Sequence, residues 1–273
     1  MALTLLLLLG LLLVLALLLQ PVWRSMRRAR QRKAPLPNSW RRIVRRRVPL
    51  VARLPADQQM RLKGLMQVFL AEKPILGCAG LEVTDEMRVV IAAQACLPLR
   101  GHTRDYYPNL RQVLLYPGAF VVDRSALNGQ VQMDQRRVLA GESWVQGQVL
   151  LSWDEVRAGA AVADDGRNVV IHEFAHQLDQ VKGFANGAPP LPGREVYEQW
   201  SRVLQAEFDA LQARVARGEP SLIDPYGATD PAEFFAVVSE VFFEQGALLA
   251  AQHPALYQQL KGFYGVETAA WGT

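Results

Sequence analysis

Apolar residues follow two different patterns along the chain. Residues 2–19 carry no charge and are almost entirely apolar, with leucine at most positions. A helix of that length, at about 1.5 Å rise per residue, approaches the thickness of the hydrocarbon core of a bilayer. Beyond residue 55, apolar residues recur three and four apart or in short runs, as they do in a soluble domain. The pattern predicts a transmembrane anchor over residues 1–23 and a folded domain over residues 55–273.

The flanks of the apolar stretch favour an anchor that stays attached. A cleaved signal peptide has basic residues before its apolar segment and small residues at a cleavage site after it, and neither feature is present. Trp23 suits the membrane interface, and eleven basic residues lie between Arg24 and Arg47, here called the basic collar. Because positively charged flanks stay on the cytoplasmic side, we expect a basic juxtamembrane linker over residues 24–54 and a body inside the cell.

The two parts of the chain carry net charges of opposite sign. The net charge of +4 and the pI near 9.2 suggest a partner such as nucleic acid. However, residues 1–56 hold 12 basic and no acidic side chains, and the rest holds 18 basic against 26 acidic ones. Next to an apolar anchor, a basic run is typical of a topology signal or of contact with anionic lipids. It lacks interleaved aromatic residues for base stacking, which disfavours nucleic acid as a partner.

The body combines helices with short strands. Helical spacing predicts a helix over residues 57–73, stopped by Pro74, and a second helix from the cap Thr84 to Leu97. Short apolar runs predict three strands, at 113–116, 119–122 and 148–153. This mixture without repeated βαβ units indicates the α+β class. The two cysteines lack the spacing of a metal or redox pair and are interpreted as reduced thiols.

One motif carries chemistry. His172, Glu173 and His176 form a HExxH pattern, which has meaning only on a helix. Asn168 offers a cap before it, and Lys182 with a following glycine ends a helix of about 15 residues. At 100° per residue the two imidazoles lie roughly 40° apart and one turn from each other, so both reach one ion. Glu173 lies beside them, where it could take a proton from a water at zinc.

A catalytic zinc ion needs a third protein ligand. The metzincin pattern is excluded, because Asp179 and Lys182 occupy the positions where that class has glycine and histidine. The remaining histidines, His102 and His253, have no helical spacing to the motif and are interpreted as surface residues. A carboxylate is left as the third ligand.

Two glutamates are candidates for that carboxylate. Glu233 and Glu240 are seven residues apart on one face of an almost wholly apolar predicted helix, where an unpaired carboxylate is costly. Glu233 has a second explanation, because Asp230 and Pro231 before it complete a capping box. Spacing alone does not show which of the two glutamates is the third ligand.

HEFAHQLD together with DPYGATDPAEFFAVVSEVFFE closely resembles the Mlc titration factor A family of bacterial zinc-dependent peptidases, gluzincins with a lethal-factor-like active site. The similarity covers residues from about 60 to 265. It implies a zincin-like domain in a bacterial protein, and the anchor predicted before this domain would then place the protein in the inner membrane. It also implies that His172, His176 and Glu233 bind Zn²⁺ and that Glu173 is the general base. Tyr226 matches the family's loop tyrosine, which would stabilise an oxyanion unless it only packs.

Two further residues or segments have more than one interpretation. Asp179 is either an acceptor for an imidazole N–H or an ordinary acid at a helix end. Residues 149–153 resemble the edge strand beside which zincin substrates lie, although a core strand would have the same composition.

The resemblance implies a zinc peptidase, aminopeptidase-like and regulatory, acting on a peptide or protein. The alternative is a zinc-containing regulatory protein that sequesters a transcriptional repressor, since the family's founding member is named for binding one. Glu173 and Tyr226 favour catalysis, because a structural zinc site needs neither. The membrane, reached through residues 2–19 and the basic collar, is the other expected partner.

Overall fold

The computed structural model describes residues 2–100, 106–118, 120–122, 137–139, 141–144 and 147–272. Within these ranges the helices are α1 (Ala2–Lys33), α2 (Asn38–Arg47), α3 (Leu50–Arg53), α4 (Ala56–Glu72), α5 (Asp85–Ala95), α6 (Trp153–Ala161), α7 (Val169–Asp179), α8 (Arg194–Arg217), α9 (Pro231–Glu244), α10 (Gly246–Gln252) and α11 (Pro254–Tyr264). The strands are β1 (Ile75–Gly77), β2 (Gln112–Tyr116), β3 (Phe120–Val122), β4 (Arg137–Leu139), β5 (Gly141–Trp144) and β6 (Gln148–Ser152). The mixture of helices with a small sheet agrees with the class expected from the sequence.

The first helix is apolar and exposed along its first half. Leu5 and the leucines from Leu7 to Leu19 protrude from the protein, because no other element in the described part of the chain covers them. In the part of the chain that the structure describes, this is the one single helix long and apolar enough to cross a membrane. It continues through Pro21 to Lys33, which is further than the anchor predicted over residues 1–23. Arginine is a good helix former, so the change from apolar to basic residues does not end the helix.

The segment after the first helix packs on the body. Buried apolar side chains begin at Leu36, earlier than the start of the folded body that the sequence predicted near Pro55. The buried residues of this segment are Leu36, Val44, Val48, Leu50, Val51 and Leu54. Trp40 also donates from Nε1 to Asp85 of α5 at 3.2 Å. The apolar positions between the arginines therefore form a buried side, which the count of charges did not reveal.

The main sheet has the strand order β1, β2, β6, β5. The first three strands are parallel, and β5 runs antiparallel to β6. Strand β6 thus has a neighbour on each side, so the edge position expected for residues 149–153 is wrong. Among the described strands, β5 is the edge next to it, and its sequence Gly-Glu-Ser-Trp lacks the apolar run that marks a strand.

Two helices that pack against each other position the candidate site. Asn168 caps α7 by accepting a hydrogen bond from the Ile171 N–H at 3.1 Å. Asp230 caps α9 by accepting from the N–H groups of Ala232 and Glu233, both at 2.9 Å. Both caps follow the sequence prediction. The two helices contact each other extensively, so the histidines of α7 face the glutamates of α9.

Candidate metal centre

Two histidines from α7 and one glutamate from α9 bring their polar atoms together. The carboxylate Oε2 of Glu233 lies 3.0 Å from Nε2 of His172 and 3.5 Å from Nε2 of His176. One ligand atom from each residue lies within 4.8 Å of the others, and within the described ranges no other such group is found. The three side chains are between 10% and 21% exposed, so the group is accessible from solvent. Three fixed donors with an open side are the arrangement of a catalytic zinc site.

The chemistry of these donors fits a divalent cation. Burial disfavours the charged imidazole of His172, yet its hydrogen bonds to Glu233 and Glu240 raise its pKa well above the ordinary value. Burial likewise favours the neutral carboxyl of Glu233, but the two imidazoles hold its pKa well below the usual range. The cluster therefore stabilises positive charge at its centre. Imidazole nitrogens with one carboxylate oxygen are ligands that Zn²⁺ prefers.

The structure separates the two glutamates that spacing left equivalent. Glu240 lies on the far side of His172, with Oε1 2.7 Å from Nδ1 of the imidazole. Its other oxygen accepts a hydrogen bond from the backbone N–H of Asn168. Because Nδ1 is held by Glu240, Nε2 is the nitrogen of His172 that faces Glu233 and would bind a metal ion. A carboxylate in this position fixes the tautomer of a metal-binding histidine and raises its basicity.

A second buried carboxyl connects the same two helices. Glu244, one turn beyond Glu240, accepts hydrogen bonds from Nδ2 of Asn168 at 2.9 Å and from the N–H of Gly166 at 3.1 Å. Burial raises the pKa of Glu244 to about 9. The sequence pattern did not predict this contact. Its only signal was that residues 233, 240 and 244 share one face of the helix.

The expected base and the expected oxyanion donor both lie beside the cluster. Glu173 is buried, with 4% of its surface exposed, and follows His172 directly on α7. Tyr226 is 46% exposed, and its ring centroid lies 6.1 Å from that of His172. Its N–H donates to Oδ1 of Asp224 at 2.9 Å, which fixes the short turn Pro225–Ala228. A buried carboxylate and an exposed phenol thus lie close to the same imidazole.

The acid at the end of α7 holds a loop. Oδ2 of Asp179 accepts hydrogen bonds from the N–H groups of Asn186 at 2.8 Å and Gly187 at 2.7 Å. Within the described residues, Nδ1 of His176 has no hydrogen-bond partner, so Asp179 does not bond to that imidazole. The structure therefore gives Asp179 the role of fixing the chain after the helix.

The other two histidines are not part of the cluster. His253 pairs through Nδ1 with Glu207 of α8 at 2.7 Å, so it is less exposed than the sequence suggested. His102 lies outside the described residues.

Two histidines one turn apart and a glutamate from a facing helix are typical of metalloproteins that bind one ion between two helices. The chain belongs to the family described as glucose-regulated metallo-peptidase M90, whose sequence model matches residues 23–265. A metallopeptidase family implies a metal ion. The match begins where the apolar part of α1 ends.

Similar proteins support this membership. An uncharacterized protein of Synechocystis sp. is 41% identical over 249 residues, which is 90% of this chain and 90% of that protein. Mlc titration factor A of Escherichia fergusonii is 39% identical over 223 residues, covering 80% of this chain and 83% of its own. The same protein of Klebsiella pneumoniae is 39% identical over 222 residues, covering 80% and 82%. The resemblance stated from the motifs is therefore confirmed, and it reaches further toward the N terminus than residue 60.

Proposed function

We propose that the protein is a zinc peptidase with a zincin-like domain, anchored in the bacterial inner membrane with its body in the cytoplasm. The anchor comprises residues 1–23, the basic segment residues 24–54 and the peptidase domain residues 55–273, with residues 36–54 packed on that domain. The observation that carries the proposal is the convergence of His172, His176 and Glu233 within 4.8 Å, with Glu173 adjacent on the same helix.

Each residue has a distinct task in this proposal. His172, His176 and Glu233 would hold Zn²⁺, which when bound supplies a Lewis acid that polarises the scissile carbonyl and acidifies a water molecule. Glu173 accepts the proton of that water as it attacks the carbonyl, and later donates it to the departing amine. Burial holds the carboxylate of Glu173 beside His172, away from bulk solvent.

Tyr226 stabilises charge on the substrate. Its ring lies beside His172 on a turn fixed by Asp224, so the phenol O–H can donate a hydrogen bond to the oxygen that becomes negative during the attack. Because the side chain is almost half exposed, substrate can reach it without rearrangement of the core.

The substrate is expected to bind as an extended peptide. Strand β5 is the edge of the main sheet in the described part of the chain, and it contacts helix α7. An extended segment can add to such an edge through main-chain hydrogen bonds. This moves the substrate-pairing role predicted for residues 149–153 to Gly141–Trp144.

Hydrolysis of a peptide library by the full chain and by Glu173→Gln tests the proposal. The glutamine keeps the shape of the side chain but cannot accept the proton, so we expect a loss of hydrolysis of about 10²–10⁴-fold. Zinc content, measured on the same samples, should remain that of the wild type. Equal hydrolysis by the two proteins, or hydrolysis by neither with zinc bound, would contradict the proposal.

A second function is favoured by the name of the relatives. Mlc titration factor A is named for an effect on Mlc, and this chain shares most of its length with that protein. In the alternative function, the metal is structural and the body sequesters a transcriptional repressor. Binding of a repressor by both wild type and Glu173→Gln, with hydrolysis by neither, would support this function instead.

A further inference from the structure

A cavity of about 490 Å³ lies where the apolar part of α1 ends, away from the candidate metal centre. One wall is α1 from Gln20 to Arg28, and the other is the end of α4 with Tyr106 and Pro108. The body therefore completes a cavity that the isolated helix would not have.

The walls of this cavity are basic. Arg24, Arg27, Arg28 and Lys73 line it, and Glu72 is the one acidic residue among the lining residues. Arg28 binds that carboxylate through two hydrogen bonds, at 2.8 and 2.7 Å, which neutralises it. Among the described residues, no carboxylate forms an ion pair with Arg24 or Arg27. Two guanidinium groups therefore remain available for an anion from outside.

Several contacts hold the basic groups in place. The ammonium of Lys73 is buried and donates to the carbonyl oxygens of Tyr107 and Leu110, both at 2.7 Å. The guanidinium of Arg28 lies 4.8 Å from the ring centroid of Tyr106. The body thus holds Lys73 and Arg28 in place, while Arg24 and Arg27 extend into the cavity from α1.

The position of the cavity along α1 indicates which anion it meets. It begins at Gln20, directly after the last residue of the apolar stretch, and Trp23 is exposed on its rim. Residues 20–28 span roughly 12 Å of helix at 1.5 Å rise per residue. If α1 crosses the bilayer, that length extends from the edge of the hydrocarbon through the headgroup layer, which is about 5–8 Å thick per leaflet.

We propose that this cavity binds the phosphate-bearing headgroup of an anionic phospholipid. In this proposal, Arg24 and Arg27 contact the phosphate, and Trp23 contacts the part of the lipid that adjoins the headgroup. Guanidinium groups bind phosphate oxygens through paired hydrogen bonds. A bound lipid would fix the body against the membrane at a defined height. The inference rests on the proposed insertion of α1 and is independent of peptidase activity.

Binding of a soluble short-chain phosphatidylglycerol to the full chain in uncharged detergent tests the site without a bilayer. A failure of membrane insertion therefore does not affect the result. The matched variants are Arg24→Gln/Arg27→Gln, in the cavity, and Arg45→Gln/Arg46→Gln, at exposed positions of the basic collar outside it. Both pairs remove two positive charges.

We expect the wild type to bind one equivalent of lipid. The affinity of the cavity variant should be at least tenfold lower, and the affinity of the collar variant should be within twofold of that of the wild type. Equal losses in the two variants would assign the affinity to net charge and overturn the proposal. If the double cavity variant unfolds, Arg27→Gln is compared with Arg45→Gln, with at least threefold weakening expected only for the former.

Two further ligands distinguish the source of the phosphate. Short-chain phosphatidylcholine should bind at least tenfold more weakly than phosphatidylglycerol, because its headgroup carries no net charge. Inorganic phosphate should displace the lipid only at a concentration at least tenfold higher, since it lacks the part that contacts Trp23. Displacement by inorganic phosphate at equal concentration would assign the cavity to free phosphate and overturn the lipid assignment.

Discussion

The candidate metal centre and the basic collar are both rich in charge, but they hold their charges differently. In the centre, the carboxylates and imidazoles of α7 and α9 are mostly buried and bond to one another across the two helices. In the collar, Arg45 and Arg46 are exposed to solvent. Burial of a charge is costly unless a partner or a metal compensates, whereas an exposed charge costs little. A single substitution should therefore change the chemistry of the centre by orders of magnitude, while exposed collar residues outside the cavity, such as Arg45 and Arg46, act through their number of charges.

The largest of the following effects is expected at Tyr226. Tyr226→Phe removes the O–H that would donate to the oxyanion, and loss of one such donor lowers kcat by about 10²–10³-fold. Zinc content should not change, because the phenol is not proposed as a ligand. Tyr197→Phe is the control, since Tyr197 on α8 has a similar exposure. Equal kcat values for the two variants would show that Tyr226 only packs.

Glu240 should affect metal affinity more than it affects turnover. Glu240→Gln replaces the carboxylate that accepts from Nδ1 of His172, so the zinc affinity should fall about 10–100-fold. Competition with a chromogenic chelator measures it, and kcat at saturating zinc should fall less than the affinity. Glu219→Gln, at an exposed glutamate paired with Arg217, is the control. Unchanged zinc affinity in Glu240→Gln would show that Glu240 does not support metal binding.

The smallest effect concerns stability and pH at Glu244. Burial raises its pKa from an ordinary value of 4.5 to about 9 in the folded protein, so between these pH values the folded state holds a proton that the unfolded state releases. The free energy of unfolding should therefore fall as pH rises from about 5 to 9, with each unit of pKa difference worth about 1.4 kcal/mol.

Glu244→Gln removes this titratable group. Over the same pH range, the unfolding free energy of the variant should therefore fall by at least about 1 kcal/mol less than that of the wild type. Denaturant unfolding at several pH values measures the difference. Parallel curves for Glu244→Gln and wild type would contradict the raised pKa.

Local patterns predicted the helix that carries the motif. The cap at Asn168 and the spacing of His172 and His176 depend on residues close in sequence, and the structure has both features. The cap at Asp230 was likewise visible. These features follow from hydrogen bonds within one turn of helix, so a sequence alone contains them.

Features that depend on packing between elements could not be predicted from local sequence patterns. Glu233 and Glu240 share one helix face, and only the position of α7 against α9 puts one carboxylate at Nε2 and the other at Nδ1 of His172. The place of β6 inside the sheet depends on its pairing with β5, a strand without an apolar run. The start of the packed body at Leu36 depends on contacts that a run of arginines obscures.

The zinc content of purified full-length Glu233→Ala tests the central claim most directly, with Glu240→Ala and Glu173→Gln as matched proteins. After incubation with zinc and removal of excess, we expect less than about a tenth of the wild-type zinc in Glu233→Ala, because only two protein ligands remain. Glu240→Ala should regain zinc at saturation, and Glu173→Gln should hold a full equivalent. Full occupancy in Glu233→Ala would contradict the assignment of His172, His176 and Glu233 as the metal ligands.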